Sequence, residues 1–340
     1  MKKSFVIYAL LCLMMGSLSW AGAPGYRVTG KIALGGEGGW DYLTADSNAQ
    51  LLYVSRATHV VVVDLKTEKQ IADIPNTAGV HGIAVAPELG KGFISCGKSD
   101  EAVIFDLKTL KETGRVKTGA NPDAILYDAF TKRVFTFNGR SHDATVIDAV
   151  KGTVIATLPL NGKPEFATTD GAGKVYVNIE DTSEVVTIDP AKPVVLKRCP
   201  IKPGEEPSGM ALDAKRHIVF SGCDNKLMTA LDPEKCAVVS TIPIGEGVDG
   251  NGFDPGTGLI FSANGEGTLT VAKETSKGKY EVLETVPTQK GARTMAVDTK
   301  THKIYLPTAQ FGPAPAATPE NPRPRPAIIR DTFVILVVGK

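Results

Sequence analysis

The sequence predicts an all-β fold: a ring of seven four-stranded sheets, the last of them closed by the N-terminal strand. Three observations predict it. A short strand-like run ends in Asp or Pro, turns, and resumes as an aliphatic-aromatic strand. It recurs seven times, anchored at Asp46, Pro87, Asp128, Asp170, Asp213, Asp254 and Asp298, at steps of 41, 41, 42, 43, 41 and 44 residues. A second motif keeps the same beat, with Asp64, Asp106, Asp148, Asp189 and Asp232 at steps of 42, 42, 41 and 43. The two ends of the chain, finally, are complementary fragments of one repeat. Four strands in about 40–45 residues at constant period is the signature of a β-propeller, here a seven-bladed β-propeller.

The elements follow in order within each repeat. The first strand ends at the first anchor, and the second is a run such as Leu52-Tyr53-Val54-Ser55. The third ends at the second Asp, and the fourth is a run such as GTVIATLPL over residues 152–160. The anchor Asp residues and the Gly, Lys and Thr after them are turn chemistry rather than catalysis. Residues 26–34 match a fourth strand and residues 332–338 a third. The N-terminal strand therefore completes the seventh blade and covers an edge that would otherwise invite aggregation.

Composition agrees. Of 340 residues, 42% are hydrophobic and 22% charged, with a formal net charge of +1. Disordered chains are poorer in apolar residues and carry more net charge. Residues 1–21 read as a signal peptide: Lys2 and Lys3 precede an apolar run over 5–18, and Ser19-Trp20-Ala21 fits a small-x-small cleavage site. The run is too short for a membrane anchor. Residues 22–340 then form one propeller, a monomer in the periplasm or secreted, with 36 basic against 37 acidic residues. That balance makes nucleic acid a poor partner.

The repeats carry a further resemblance. Val175-Tyr176-Val177-Asn178 nearly spells YVTN, and Leu52-Tyr53-Val54-Ser55 is a variant. The chain resembles the YVTN β-propeller repeat family, the YncE-like exported proteins, over about residues 26–338. The resemblance implies an exported binding protein. It also implies an architecture shared with distant lyases such as virginiamycin B lyase.

Strand direction alternates within a blade. The connections between blades and the loops between second and third strands therefore share one face, while the regular turns share the other. The starts of the first strands should line the channel mouth. They offer Trp40, Asp41, His81, Asp123, Glu165, Glu206 with Ser208, Asp249 and Arg293. Gathered carboxylates repel unless a cation, an Arg or a proton compensates. Asp123, Glu165 and Asp249 are thus candidate ligands for a divalent cation, although no cofactor is required. The neighbouring loops add Arg56, His59, Asn138, Arg140, His142, Asn178, Glu180, Asn225 and Asn264. Arg56, Arg140 and Arg293 have the fork that grips a carboxylate or phosphate. A Pro-rich insertion, residues 312–330, belongs to the same face as a lid, a docking loop or a plain insertion.

Other motifs fail. Gly245, Gly247 and Gly250 match G-x-G-x-x-G, but join two strands rather than opening a helix. Among the cysteines, Cys199 ends a fourth strand and Cys223 the next repeat's second strand, so these two are the expected disulfide. The leading function is binding a small ligand, or a protein or polymer partner, at the channel mouth. The alternative is a lyase or hydrolase with a cation-assisted site, His81 as acid/base and Arg293 stabilising an anion. The third is single-stranded nucleic-acid binding, for which Trp40 is the main stacking platform.

Overall fold

The structure is a computed structural model. It describes residues 24–316, 318, 324 and 326–340, so the expected signal peptide and part of the Pro-rich insertion lie outside the described residues. Among the described residues, seven four-stranded antiparallel sheets form the chain, a seven-bladed propeller. Six blades are built from consecutive strands; the first runs Leu43–Asp46, Leu51–Arg56, His59–Asp64 and Lys69–Ile74. The seventh takes Ala296–Asp298, Lys303–Thr308 and Val334–Gly339 from the C-terminal end. Its outer strand is Arg27–Ala33, paired antiparallel with Val334–Gly339. The predicted ring closure is present.

Burial follows position in the blade. The third strand His59–Asp64 reads HVVVVD with its four valines buried, because a neighbouring blade covers each face. The outer strand Lys69–Ile74 buries only Ile74 and leaves its other residues to solvent or half-buried. The core is accordingly divided. Seven apolar clusters lie in the seven gaps between blades. In one, Leu43 and Val54 of the first blade meet Tyr305, Phe333 and Ile335 at the seventh. Each such side chain, fully buried, contributes about 1.5–3 kcal/mol.

The Asp motif works as predicted. Asp64 Oδ1 accepts the N–H groups of Lys66 at 2.7 Å and Thr67 at 2.9 Å. Asp106, Asp148, Asp189 and Asp232 each repeat the pair of bonds with residues two and three places on. These carboxylates close turns.

The disulfide differs from the expected one. Cys199 is bonded to Cys236, with Cα atoms 4.9 Å apart, and Cys223 is a buried free thiol. Radial position explains the exchange. Cys199 lies on the outer strand Val194–Pro200, and Cys236 in the turn leading into the next outer strand, Ala237–Pro243. Cys223 ends a second strand, Ile218–Cys223, nearer the axis. Twist of roughly 20–25° per strand accumulates across a blade and carries one outer strand's end over its neighbour's opposite turn.

Candidate functional site

Buried polar residues on the second strands hold the mouth in place. Ser55 Oγ accepts the Asp41 N–H at 2.8 Å. Ser95 Oγ accepts the Gly82 N–H at 2.9 Å and donates to the Asp123 carbonyl at 2.5 Å. Asn178 Nδ2 donates to the Ser208 and Gly209 carbonyls at 2.9 and 3.1 Å, and Ser221 Oγ donates to Asn178 Oδ1 at 2.7 Å. Ser55, Ser95, Asn178 and Ser221 are fully buried, and buried polar atoms need partners. Ser55, Ser95 and Asn178 each tie their strand to the backbone that presents a mouth residue, and Ser221 holds the Asn178 amide in place.

On that frame, Asp41, His81 and Asp123 come together. His81 Nδ1 is 2.5 Å from Asp41 Oδ2 and 3.5 Å from Asp123 Oδ1. The three potential ligand atoms lie within 4.8 Å of one another. Asp123 Oδ1 is buried and accepts no hydrogen bond. Glu165 pairs with Lys163 at 2.8 Å, and the same ammonium reaches Glu180. Asp249 accepts from Ser208 Oγ at 2.6 Å and forms an ion pair with Arg293, whose Nε lies 3.2 Å from Oδ2.

Five carboxylates, Asp41, Asp123, Glu165, Glu180 and Asp249, thus share three cations, His81, Lys163 and Arg293. Burial pushes Asp123 up to about 7, despite the charge of His81, with Asp41 and Asp249 adding to the rise. Burial and Asp123 push Glu165 up to about 8, despite Lys163. Burial also raises Asp249, against the pull of Arg293. For His81 burial favours the neutral ring, but the Asp41 hydrogen bond and the charges of Asp123, Asp41 and Glu165 prevail and raise it to about 9. His81 is therefore an imidazolium at neutral pH: a proton donor rather than a base. The cluster holds protons that a bound cation would displace.

Not every predicted residue reaches the mouth. Trp40, Asp41, His81, Arg140 and Arg293 line one cavity of about 590 Å³, together with Lys98, Asp100 and Asn121. Asp123 and Asp249 adjoin it through His81 and Arg293, whereas neither Glu165 nor its partner Lys163 lines it. The expected metal trio of those three acids is not what converges; Asp41 and His81 join Asp123 instead. Arg56 is only 2% exposed. It donates to the carbonyls of Gly35 and Glu37 at 3.1 and 2.9 Å and lies 3.7 Å above the Phe333 ring, so it grips the loop before Trp40 rather than a ligand. Asn138 is fully buried, spending its amide on Asp143 and Thr145. Both sit at strand ends whose side chains turn inward, which position along the chain does not reveal.

Sequence reasoning missed Tyr42. Its phenol is buried, and burial with the charges of Asp123, Asp249, Asp41 and Glu165 holds its pKa well above the ordinary value. Its ring meets Phe166 edge-on at 5.1 Å. The only signal was its place beside Asp41. Gly97 was missed too: a Cβ there would come within 2.8 Å of His81 Nε2 and 2.9 Å of Asn121 Oδ1.

No family model matches the chain, and no curated protein matches it. Among solved structures the chain is similar to a protein titled Kuenenia stuttgartiensis Hydrazine Synthase. The TM-score is 0.69 at 16% identity, over 79% of this chain and 92% of that one. At that identity the likeness shows the fold alone, a β-propeller.

Proposed function

We propose that this propeller is a binding protein whose channel mouth takes a small ligand bearing a positive centre, either a divalent metal ion or an ammonium group. One observation carries the reading. Asp123 presents a buried carboxylate oxygen with no hydrogen-bond partner, among carboxylates that outnumber the cations facing them. Leaving such an oxygen unsatisfied is costly, and a cation or N–H donor removes the cost. Asp41, His81 and Asp123 would be the first ligands for a metal, with His81 neutral when it coordinates. Export fits the Cys199–Cys236 disulfide, since such bonds persist in oxidising compartments. A propeller of the YVTN, YncE-like type agrees with both points. Among the described residues, no helix is long and apolar enough to cross a membrane.

Calorimetric titration with Ca²⁺, Mn²⁺ and putrescine, in two buffers of different ionisation enthalpy, tests the reading. One of these cations should bind saturably near pH 7.5 and release protons, and Asp123→Asn should abolish both signals. Binding that persists unchanged in Asp123→Asn, or no binding by any of the three, overturns it. A second reading, a cation-assisted lyase or hydrolase, is favoured by one observation: the protonated His81 shares its cavity with Arg293.

A further inference from the structure

We propose that a second cavity, between Trp40 and the base of the Pro-rich insertion, binds a small apolar anion: an aromatic or branched aliphatic carboxylate. The proposal does not depend on the cation reading above, because the two cavities share only Gly39, Trp40 and Arg293. This one is about 530 Å³, within the range of small-molecule sites.

Its walls are built, not incidental. Phe311 and Ile328 face each other across a short antiparallel bridge at the base of the insertion. Gly312 N–H donates to the Ala327 carbonyl at 2.8 Å and Ile329 N–H to the Gln310 carbonyl at 2.9 Å, which fixes both strands of that base. Trp40 packs against Phe311 and Phe333, with ring centroids 6.1 and 5.2 Å away. The floor comes from connecting loops where backbone approaches backbone. A Cβ at Gly265 would come within 2.9 Å of the Gly247 carbonyl, so a side chain there would force the floor apart. The result is an aromatic and aliphatic slot open at one side.

The charges at its edge decide the ligand. Lys290 and Arg293 line the cavity, and among the described residues no acidic side chain does. Among the described residues Lys290 has no ion-pair partner, and Arg293 meets Asp249 through Nε while its Nη groups make no hydrogen bond. An apolar slot with a free ammonium and an open guanidinium edge is complementary to a hydrophobic body carrying one carboxylate. A cationic or doubly charged ligand would leave either the slot or the cations uncompensated.

The test uses three probes of nearly one shape: adamantane-1-carboxylate, 1-adamantanemethanol and 1-adamantylamine. Trp20→Phe in the full chain leaves Trp40 as the single tryptophan, so its emission reports occupancy. The carboxylate should bind saturably, shift Trp40 emission, and bind about tenfold or more tighter than the alcohol, as a charge-assisted contact predicts. Lys290→Ala should remove most of that preference without altering alcohol binding, and Ile328→Asn should weaken both. Asp123→Asn should leave the carboxylate unaffected even if it abolishes cation binding. Equal affinity for the alcohol, tighter binding of the amine, no change in Trp40 emission, or loss in Asp123→Asn would each overturn the proposal.

Discussion

Replacing Asp123 by Asn should stabilise the protein at pH 8, stabilise it about a third as much at pH 5, and leave it little changed below pH about 4. In the folded chain the Asp123 carboxyl sits at about 7, against 3.8 for the free group, because burial outweighs the attraction of His81. The fold therefore holds this proton more tightly than the unfolded chain does. The contribution is fully present below pH about 4 and is lost as pH rises through 7. At pH 8 the folded state carries an ionised, buried carboxylate at a cost on the order of 2–4 kcal/mol. The side chain is 17% exposed, so solvent screens only part of it. Asn keeps the shape and a hydrogen-bonding edge without the charge. At about 2 °C per kcal/mol for a chain of this length, the melting temperature at pH 8 should rise by roughly 4–8 °C. Calorimetric melting of both proteins from pH 5 to 9 measures it. A lower melting temperature for the Asn variant at pH 8, or the same gain at pH 5, would refute the argument that a poorly compensated buried charge is stored at the mouth.

Three other outcomes follow from particular contacts. Gly97→Ala should push His81 off Asp41, since the new Cβ would fall within 2.8 Å of Nε2; an NMR titration should find the imidazole well below its value of about 9. Cys236→Ser should cost about 4 kcal/mol, because the Cys199–Cys236 bond closes a loop with a sequence separation of 37. Denaturant melts measure that loss, and peptide mapping without reductant should recover the Cys199–Cys236 pair with Cys223 free. Arg56→Ala should cost about 2–4 kcal/mol, through two charge-assisted hydrogen bonds and a stacked ring, and should red-shift Trp40 as the 35–39 loop loosens. Unchanged emission would show that Arg56 does not hold that loop.

Much of the fold was legible. The anchor spacing of 41 to 44 residues implied seven blades, and the turn carboxylates at Asp64, Asp106, Asp148, Asp189 and Asp232 act as read. The mouth was legible in outline, since Trp40, Asp41, His81, Arg140 and Arg293 line one cavity. Arg56 and Asn138 were legible as loop-side polar residues but not as buried ones, because a one-residue difference at a strand end decides which way a side chain points. The sequence drew no attention to Tyr42, and the expected Cys199–Cys223 pair left out Cys236, the actual partner of Cys199.

Blade count, strand order, turn chemistry and ring closure were thus determined by the sequence alone. They rest on period-two alternation and turn residues, which act over a few positions and repeat seven times. Neighbourhood around the axis was decided only by the tertiary structure. His81 meets Asp41 across 40 residues, and Thr294 Oγ1 donates to the Asp41 carbonyl across 253. Cys199 reaches Cys236 only because accumulated twist brings outer strands of adjacent blades together. The buried Asp123 oxygen that accepts no hydrogen bond, and with it the proposed chemistry of the mouth, exists only once the ring has closed.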